Sequence, residues 1–345
     1  MTALIISLNF NPGHVSHMLA SYKQCEDLGY ESIFYVNPAF ESYLPQDSRI
    51  MSSKVKKIPK TDLAIFLFPS PKNPLLIWRL KRKGAKVVYI FHEPLASMKV
   101  YRDAGFSMGY LAKLWVIDHI SALTVKWSDY VLIPSRKAIK YYEENNLYAN
   151  QNYHYLPLMY CDEREKKHML MERKYFSYIG TVAADHSFTE YLEFVKWAIA
   201  CNELNGIDFL ISTKSEFVVP EALKKSSRVT VHMGNPMSNE VINTYYSSSI
   251  AVWNAYARTT QSGVLAKSFM FGTPVIVLRS NLNEFTHDGR NVVAIDDNTN
   301  KEEIASAIER IHKSQEAFSS ECRKEFELSF FYRVYNEQFK TIING

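Results

Sequence analysis

The chain has 345 residues, 47% of them hydrophobic and 22% charged, with 40 basic and 36 acidic side chains and a formal net charge of +4. Such a length exceeds one ordinary core and points to two domains of about 150 to 180 residues, and the composition excludes a disordered chain. Cys25, Cys161, Cys201 and Cys322 are scattered with no CxxC pair, which excludes a disulfide framework or a zinc site and fits a reducing cytoplasm.

Apolar runs of strand length alternate with helix-length amphipathic segments throughout, the mark of α/β structure with parallel sheets. Residues 1–10 are short, apolar and alternating, with neither a basic flank nor a small-residue cleavage site, so they read as a first strand and not an export signal. Strands are expected at 3–8, 32–36, 63–68, 87–91 and 130–133, with helices at 15–28, 74–82, 107–126 and 136–145. The longest apolar stretch, 108–127, is interrupted by Lys113, Asp118, His119 and Lys126, too many charges for a bilayer span, and is expected to be a helix of a globular domain. The charged segment 162–174 shows no strand pattern and is expected to be the linker.

A second alternating set follows, with strands at 175–179, 208–212, 228–232, 250–253, 274–278 and 292–295 and helices at 188–205, 239–246, 263–271 and 301–312. A last helical stretch, 315–343, is long enough to return to the first half. The expected domains are therefore 1–160, 161–325 and a returning C-terminal helix at 326–345. Charge is uneven: about 19 basic against 12 acidic residues up to Asn150, and 21 against 24 beyond it. Lys54, Lys56, Lys57, Lys60, Arg79, Lys81, Arg82, Lys83 and Lys86 make up much of the excess. They form either a solvated surface or a face for anionic lipid headgroups or a phosphate-bearing partner.

Residues 255–297 read AYARTTQSGVLAKSFMFGTPVIVLRSNLNEFTHDGRNVVAIDD. Thr259, Thr260, Gln261, Ser262 and Gly263 form a loop of mostly small residues that opens a helix, and Gly272-Thr273-Pro274 ends that helix before a buried strand. Backbone N–H groups at a helix N-terminus, with the positive end of the helix dipole, suit a diphosphate, and small side chains let phosphates approach. The order of loop, helix, GTPV strand, Asn283-Glu284 loop and DGRNVVAID strand resembles the donor-binding segment of family 4 glycosyltransferases. That resemblance implies the GT-B fold, two Rossmann-like domains facing across a cleft, with a nucleotide-diphosphate sugar as co-substrate and no further cofactor.

By the resemblance, Thr260, Gln261, Ser262, Gly263 and Val264 bind the donor. Most members carry two glutamates eight positions apart here, whereas this chain has Thr259 and Lys267; the Lys267 ammonium is a candidate to offset diphosphate charge. The sequence at Ile179-Gly180-Thr181-Val182 resembles the family's Gly-Arg loop, with Thr181 and about His186 at the usual arginine and lysine places. Gly180 and Thr181 are therefore donor-site candidates. Cationic stabilisation of the departing diphosphate falls first to Arg258 and second to Lys214. Met233, Gly234 and Pro236 correspond to the base-binding loop.

In the first half, VVYIFHEP delivers His92 and Glu93 at the carboxyl end of a strand, where ligands of open α/β sheets bind. His92 matches the family's histidine facing the donor sugar, and Glu93 is an acceptor-hydroxyl contact, a base or a helix cap. Gly13, in the turn Asn9–His14, would let the backbone approach diphosphate and acceptor. No Asp-x-Asp triplet is present, so no metal site is expected. The resemblance implies a retaining, metal-independent transfer to a glycan or lipid-linked glycan in bacterial surface polysaccharide synthesis, in the cytoplasm or at the inner face of the membrane, with no nucleic-acid partner. A nucleotide-sugar epimerase and a non-catalytic binding homologue are the alternatives.

Overall fold

The computed structural model describes residues 1–55, 57–103, 105–148, 152–235 and 237–345, so Lys56 of the basic cluster and Pro236 of the base-binding loop lie outside the described residues. The chain divides into two compact units, residues 1–161 with 330–345, and residues 162–329. In the first unit the chain runs through β1 (Thr2–Ser7), α1 (Val15–Asp27), β2 (Glu31–Val36), β3 (Ile50–Ser52), β4 (Leu63–Phe66), α2 (Asn73–Lys81) and β5 (Lys86–Ile90). It continues through α3 (Met98–Asp103), α4 (Met108–Trp127), β6 (Tyr130–Ile133), α5 (Arg136–Glu144) and β7 (Tyr153–Tyr155). Every strand pair is parallel and the sheet order is β3-β2-β1-β4-β5-β6-β7. Leu4, Ile6, Phe66, Val87 and Tyr89 belong to the core of this unit, as expected where helices cover a parallel sheet and its strands read as near-continuous apolar runs.

The second unit holds α6 (Lys166–Met169), β8 (Tyr175–Ile179), α7 (Phe188–Ala200), β9 (Asp208–Ser212), α8 (Glu221–Lys225), β10 (Val229–His232) and α9 (Asn239–Ser247). Next come β11 (Ser249–Trp253), α10 (Gly263–Met270), β12 (Val275–Leu278), β13 (Val292–Ile295), α11 (Lys301–Lys313) and α12 (Gln315–Ser329). Its sheet is again wholly parallel, in the order β10-β9-β8-β11-β12-β13. Phe176, Tyr191, Phe194, Phe209 and Trp253 are fully buried in its core.

Three local differences from the sequence expectation have physical causes. Helix α7 stops at Ala200 and does not run to 205, because Asn202 and Leu204 adopt left-handed backbone with φ 53° and 54°. The segment expected to be a bare linker contains α6, closed by a capping box in which the Glu165 and His168 side chains each take the other's backbone N–H. The last helical stretch is broken at Phe330 and Phe331. There the backbone pairs with Tyr160, whose N–H donates to the Phe330 carbonyl at 2.8 Å and whose carbonyl accepts the Tyr332 N–H at 3.1 Å. A continuous helix would hold those groups internally. The chain resumes as a 3-10 turn, Tyr332–Tyr335, and α13 (Asn336–Asn344). Tyr332 and Arg333 reach Asp27 of α1 at 3.0 and 3.2 Å, which ties the C-terminal segment into the first unit.

Helix α10 ends in a Schellman turn: Gly272 N–H donates to Phe269 O at 3.0 Å and Thr273 N–H to Ser268 O at 2.9 Å, with Gly272 at φ +66°. A Cβ on Gly272 would collide with the Ser319 side chain and stand 3.2 Å from the Ser319 carbonyl on α12. Gly272→Ala should therefore destabilise the second unit by about 2 to 4 kcal/mol, combining left-handed strain with overpacking; urea unfolding followed by circular dichroism measures it.

Candidate functional site

In a doubly wound parallel sheet, ligands bind beyond the carboxyl ends of the strands, where successive crossovers leave two neighbouring strands in opposite directions. That point falls between β1 and β4 in the first unit and between β8 and β11 in the second. Gly180 follows β8 directly, at φ +149°, a conformation that disfavours any side chain. A Cβ there would sit 3.8 Å from both the Tyr256 hydroxyl and Val264 Cγ2. The end of β8 therefore lies in contact with the first turn of α10, and glycine leaves that approach uncovered. Ser262, the N-cap of α10, makes no side-chain cap hydrogen bond, whereas Ser107, Ser135, Ser238 and Asn300 cap their helices.

The loops after β8 and β11 are bound to each other. Arg258, 5% exposed, pairs with Asp185 at 3.4 Å. His186 stacks on Tyr256 with ring centroids 4.3 Å apart and 10° between planes, and the Ala257 N–H donates to Asp185 O at 2.9 Å. Asn281 Nδ2 holds the Tyr256 carbonyl at 2.6 Å and Asn298 Nδ2 the Ala255 carbonyl at 3.0 Å. Burial, reinforced by the Asp185 charge, pushes the Tyr256 phenol well above its ordinary range and keeps it neutral. The Thr181 carbonyl accepts from Tyr178 Oη at 2.9 Å and approaches His186 Nδ1 at 2.7 Å.

Thr260 and Gln261 are buried and Ser262, Gly263 and Val264 are half-buried, so the loop offers its small residues at the helix start. Thr181 and Lys214 are exposed, and the loop bearing Lys214 touches the β8 loop where Val182 N–H donates to Ser215 Oγ at 3.2 Å. Met233 is exposed and Gly234 adopts φ +90° against Glu216. Lys267 differs from a simple exposed cation: it is buried, with Glu163 Oε2 at 3.2 Å and Asn239 Oδ1 at 3.3 Å, so its charge is already matched. Glu163 stands 104 residues away in sequence, and no spacing rule reaches it.

In the first unit Asn11 caps the 3-10 turn Pro12–His14, its Oδ1 taking Gly13 N–H at 3.2 Å. Gly13 has no positive φ, and a Cβ on it would meet Asn11 Oδ1 at an ordinary 3.5 Å, so this backbone does not itself demand glycine. His14 stacks on Phe68, centroids 3.3 Å apart, and Phe68 stands edge-on to His92 at 6.1 Å. His92 also faces His17 at 6.2 Å, while His17 packs against Tyr160 at 4.5 Å. The ends of β1, β4 and β5 thus gather His14, His17, Phe68 and His92. Of these, sequence reasoning found only His92; the i, i+3 spacing of His14 and His17 was the available signal. Glu93 is exposed beside His92.

The segment after β5 is held from below by a buried polar chain. Tyr148 Oη donates to Asp118 Oδ1 and accepts the Leu95 N–H at 3.3 Å, and Asn145 Nδ2 donates to Asp118 Oδ2 at 3.2 Å. Burial and the adjacent Asp118 raise the Tyr148 phenol far above its usual range, so it stays a donor. A separate groove of about 720 Å³, lined by Tyr130, His154, Tyr155 and Gln338, runs along β7 and includes none of these residues. Among the described residues no group of three or more His, Cys, Asp or Glu side chains is gathered to hold a metal ion.

Two doubly wound parallel units on one chain match the fold of GT-B enzymes. The structure is similar to sucrose-phosphate synthase from Thermosynechococcus elongatus, with TM-score 0.70 and 13% identity over 100% of this chain and 98% of that one. It is also similar to Anabaena HepE solved in complex with UDP, with TM-score 0.69 and 11% identity over 100% of both chains. WaaG, a glycosyltransferase involved in lipopolysaccharide biosynthesis, gives TM-score 0.66 and 14% identity over 100% of both. The chain matches no protein-family model and no curated protein sequence.

Lys267→Met should cost about 3 kcal/mol of unfolding free energy because it removes the cation facing the Glu163 carboxylate and leaves it the neutral Asn243 Nδ2 at 3.1 Å, and Lys267→Met with Glu163→Gln should recover most of it in a double-mutant cycle by urea unfolding. Tyr148→Phe should cost roughly 1 to 3 kcal/mol by leaving the Leu95 N–H and Asp118 short of a partner, and native-state hydrogen exchange should show the Leu95 amide losing protection.

Proposed function

We propose that the protein is a glycosyltransferase that draws its sugar from a nucleoside-diphosphate donor bound by the second unit. The observation that carries the reading is the contact of Gly180 with the first turn of α10, beside a helix N-terminus bearing only small residues at Ser262 and Gly263. Peptide N–H groups and the helix dipole favour a diphosphate there. Lys214 is the proposed cation toward the leaving group, and Arg258, the first candidate by sequence, has its charge matched by Asp185 and holds the loop beside it. The residues Thr260, Gln261 and Val264 complete the proposed diphosphate cradle, with Met233 and Gly234 toward the base. HepE has been solved with UDP and with UDP-glucose, so a uridine donor is the first to test.

In the first unit His92 is assigned to the sugar and Glu93 to the acceptor hydroxyl. The proposed transfer is retaining and needs no metal. The acceptor oxygen bonds to the anomeric carbon on the face from which the bond to the diphosphate oxygen breaks, and the acceptor proton passes to that departing oxygen. The resemblance of residues 255–297 to family 4 enzymes further supports a surface glycan, free or lipid-linked, as acceptor, the lipid-linked form being reached from the cytoplasmic side of a membrane.

Ser262→Asp provides the decisive test. Aspartate is a good N-cap and favours the dipole, so the variant should unfold no earlier than the parent. Its carboxylate would occupy the phosphate position, so UDP binding by calorimetry should fall at least about tenfold. Undiminished UDP binding would overturn the site assignment. With a panel of nucleotide sugars, nucleoside diphosphate should be released only when lipid-linked acceptor is present; release without acceptor would replace transfer by epimerase-type chemistry.

A further inference from the structure

Helix α4 is built the wrong way round for a solvent-facing helix. Its buried residues are Leu111, Leu114, Asp118, Ser121, Thr124 and Val125, half of them polar. Its outer side carries Met108, Trp115, Val116, Leu123 and Trp127, which at helical spacing fall within an arc of about 120°. Met108 is 74% exposed and Trp115 55%. Helix α2 packs directly against α4, and Lys81 at its end donates to the Trp127 carbonyl at 3.1 Å. It adds Leu75 and Trp78, the latter 47% exposed with the Arg82 guanidinium 4.7 Å over its ring. Three of the five tryptophans in the chain therefore stand exposed on this one helix pair.

Charge decides what covers it. Residues 72–86 hold six basic side chains and no acidic one, and the only acid of α4, Asp118, is buried. Protein interfaces are depleted in lysine, whereas exposed Trp and Leu beside Lys and Arg suit the headgroup region of an anionic bilayer, the aromatics entering the acyl boundary and the cations meeting phosphate. No helix of the described residues is long and apolar enough to cross a membrane.

We propose that the outer face of α2 and α4 is a membrane-docking surface for anionic lipid, with Trp78, Trp115 and Trp127 as interfacial anchors and Arg79, Arg82 and Lys83 as its electrostatic contacts. It would serve the membrane-borne acceptor proposed above, and it is tested without donor, so that it can fail while UDP binding stands. The full chain is sedimented with vesicles of phosphatidylcholine alone and with about one third phosphatidylglycerol. The parent should bind the anionic vesicles preferentially, with tryptophan fluorescence quenched by brominated acyl chains. Trp78→Glu with Trp115→Glu should weaken that binding at least about tenfold, with UDP affinity and circular dichroism unchanged. Arg79→Gln, Arg82→Gln and Lys83→Gln together should remove most of the salt-sensitive part. Equal binding of both vesicle types, unaltered binding by the tryptophan variant, or a parent dimer that this variant turns into monomer would each overturn the proposal, the last by assigning the face to a second copy of the chain.

Discussion

Arg258 stays buried because Asp185 comes to meet it. A guanidinium with so little exposure is tolerated only against a carboxylate, and these two lie on different loops, one after β8 and one after β11. The sheet ladder sets the spacing of the two strands, and the ion pair and the His186–Tyr256 stack hold the loops that follow them together. The position of Gly180 over Val264, and with it any ligand geometry at the start of α10, follows from that clamp. Arg258 is thus structural even if it is also chemical, and its removal would disturb the loop pair along with any ligand.

The fold was legible where pattern and physics coincide. Strands buried on both faces read as apolar runs, and α1, α2, α4 and α5 as helix-length segments between them, which sufficed for two α/β halves. The short strands β3 and β7 were missed because three half-buried residues carry no period. The break at Phe330 was missed because it is written in Tyr160, not in the local sequence. The site divides the same way. Gly180 and the small-residue loop announce themselves, since a close approach of backbone needs glycine. The Glu163–Lys267 pair and the His14–Phe68–His92 group arise only when distant segments meet.

Helix α4 shows a subtler limit. Its sequence reveals that it is apolar and interrupted by charge, and both observations hold in the structure. Which side the charge takes is a tertiary fact: Asp118 turns inward because Tyr148 and Asn145 supply its hydrogen bonds. The interior partners of that carboxylate, with the burial of Leu111, Leu114 and Val125, thus turn this side of the helix inward and leave its tryptophans outside.

The first unit is discontinuous in sequence, since residues 330–345 complete what residues 1–161 begin. Synthesis proceeds from the N-terminus and domains fold as units. Residues 1–161 therefore leave the ribosome before residues 330–345, so Asp27 and the Tyr160 backbone meet their final partners only after the whole second unit has been synthesised. Between those two moments the second unit is complete in sequence while the first still lacks the stretch of chain that closes it.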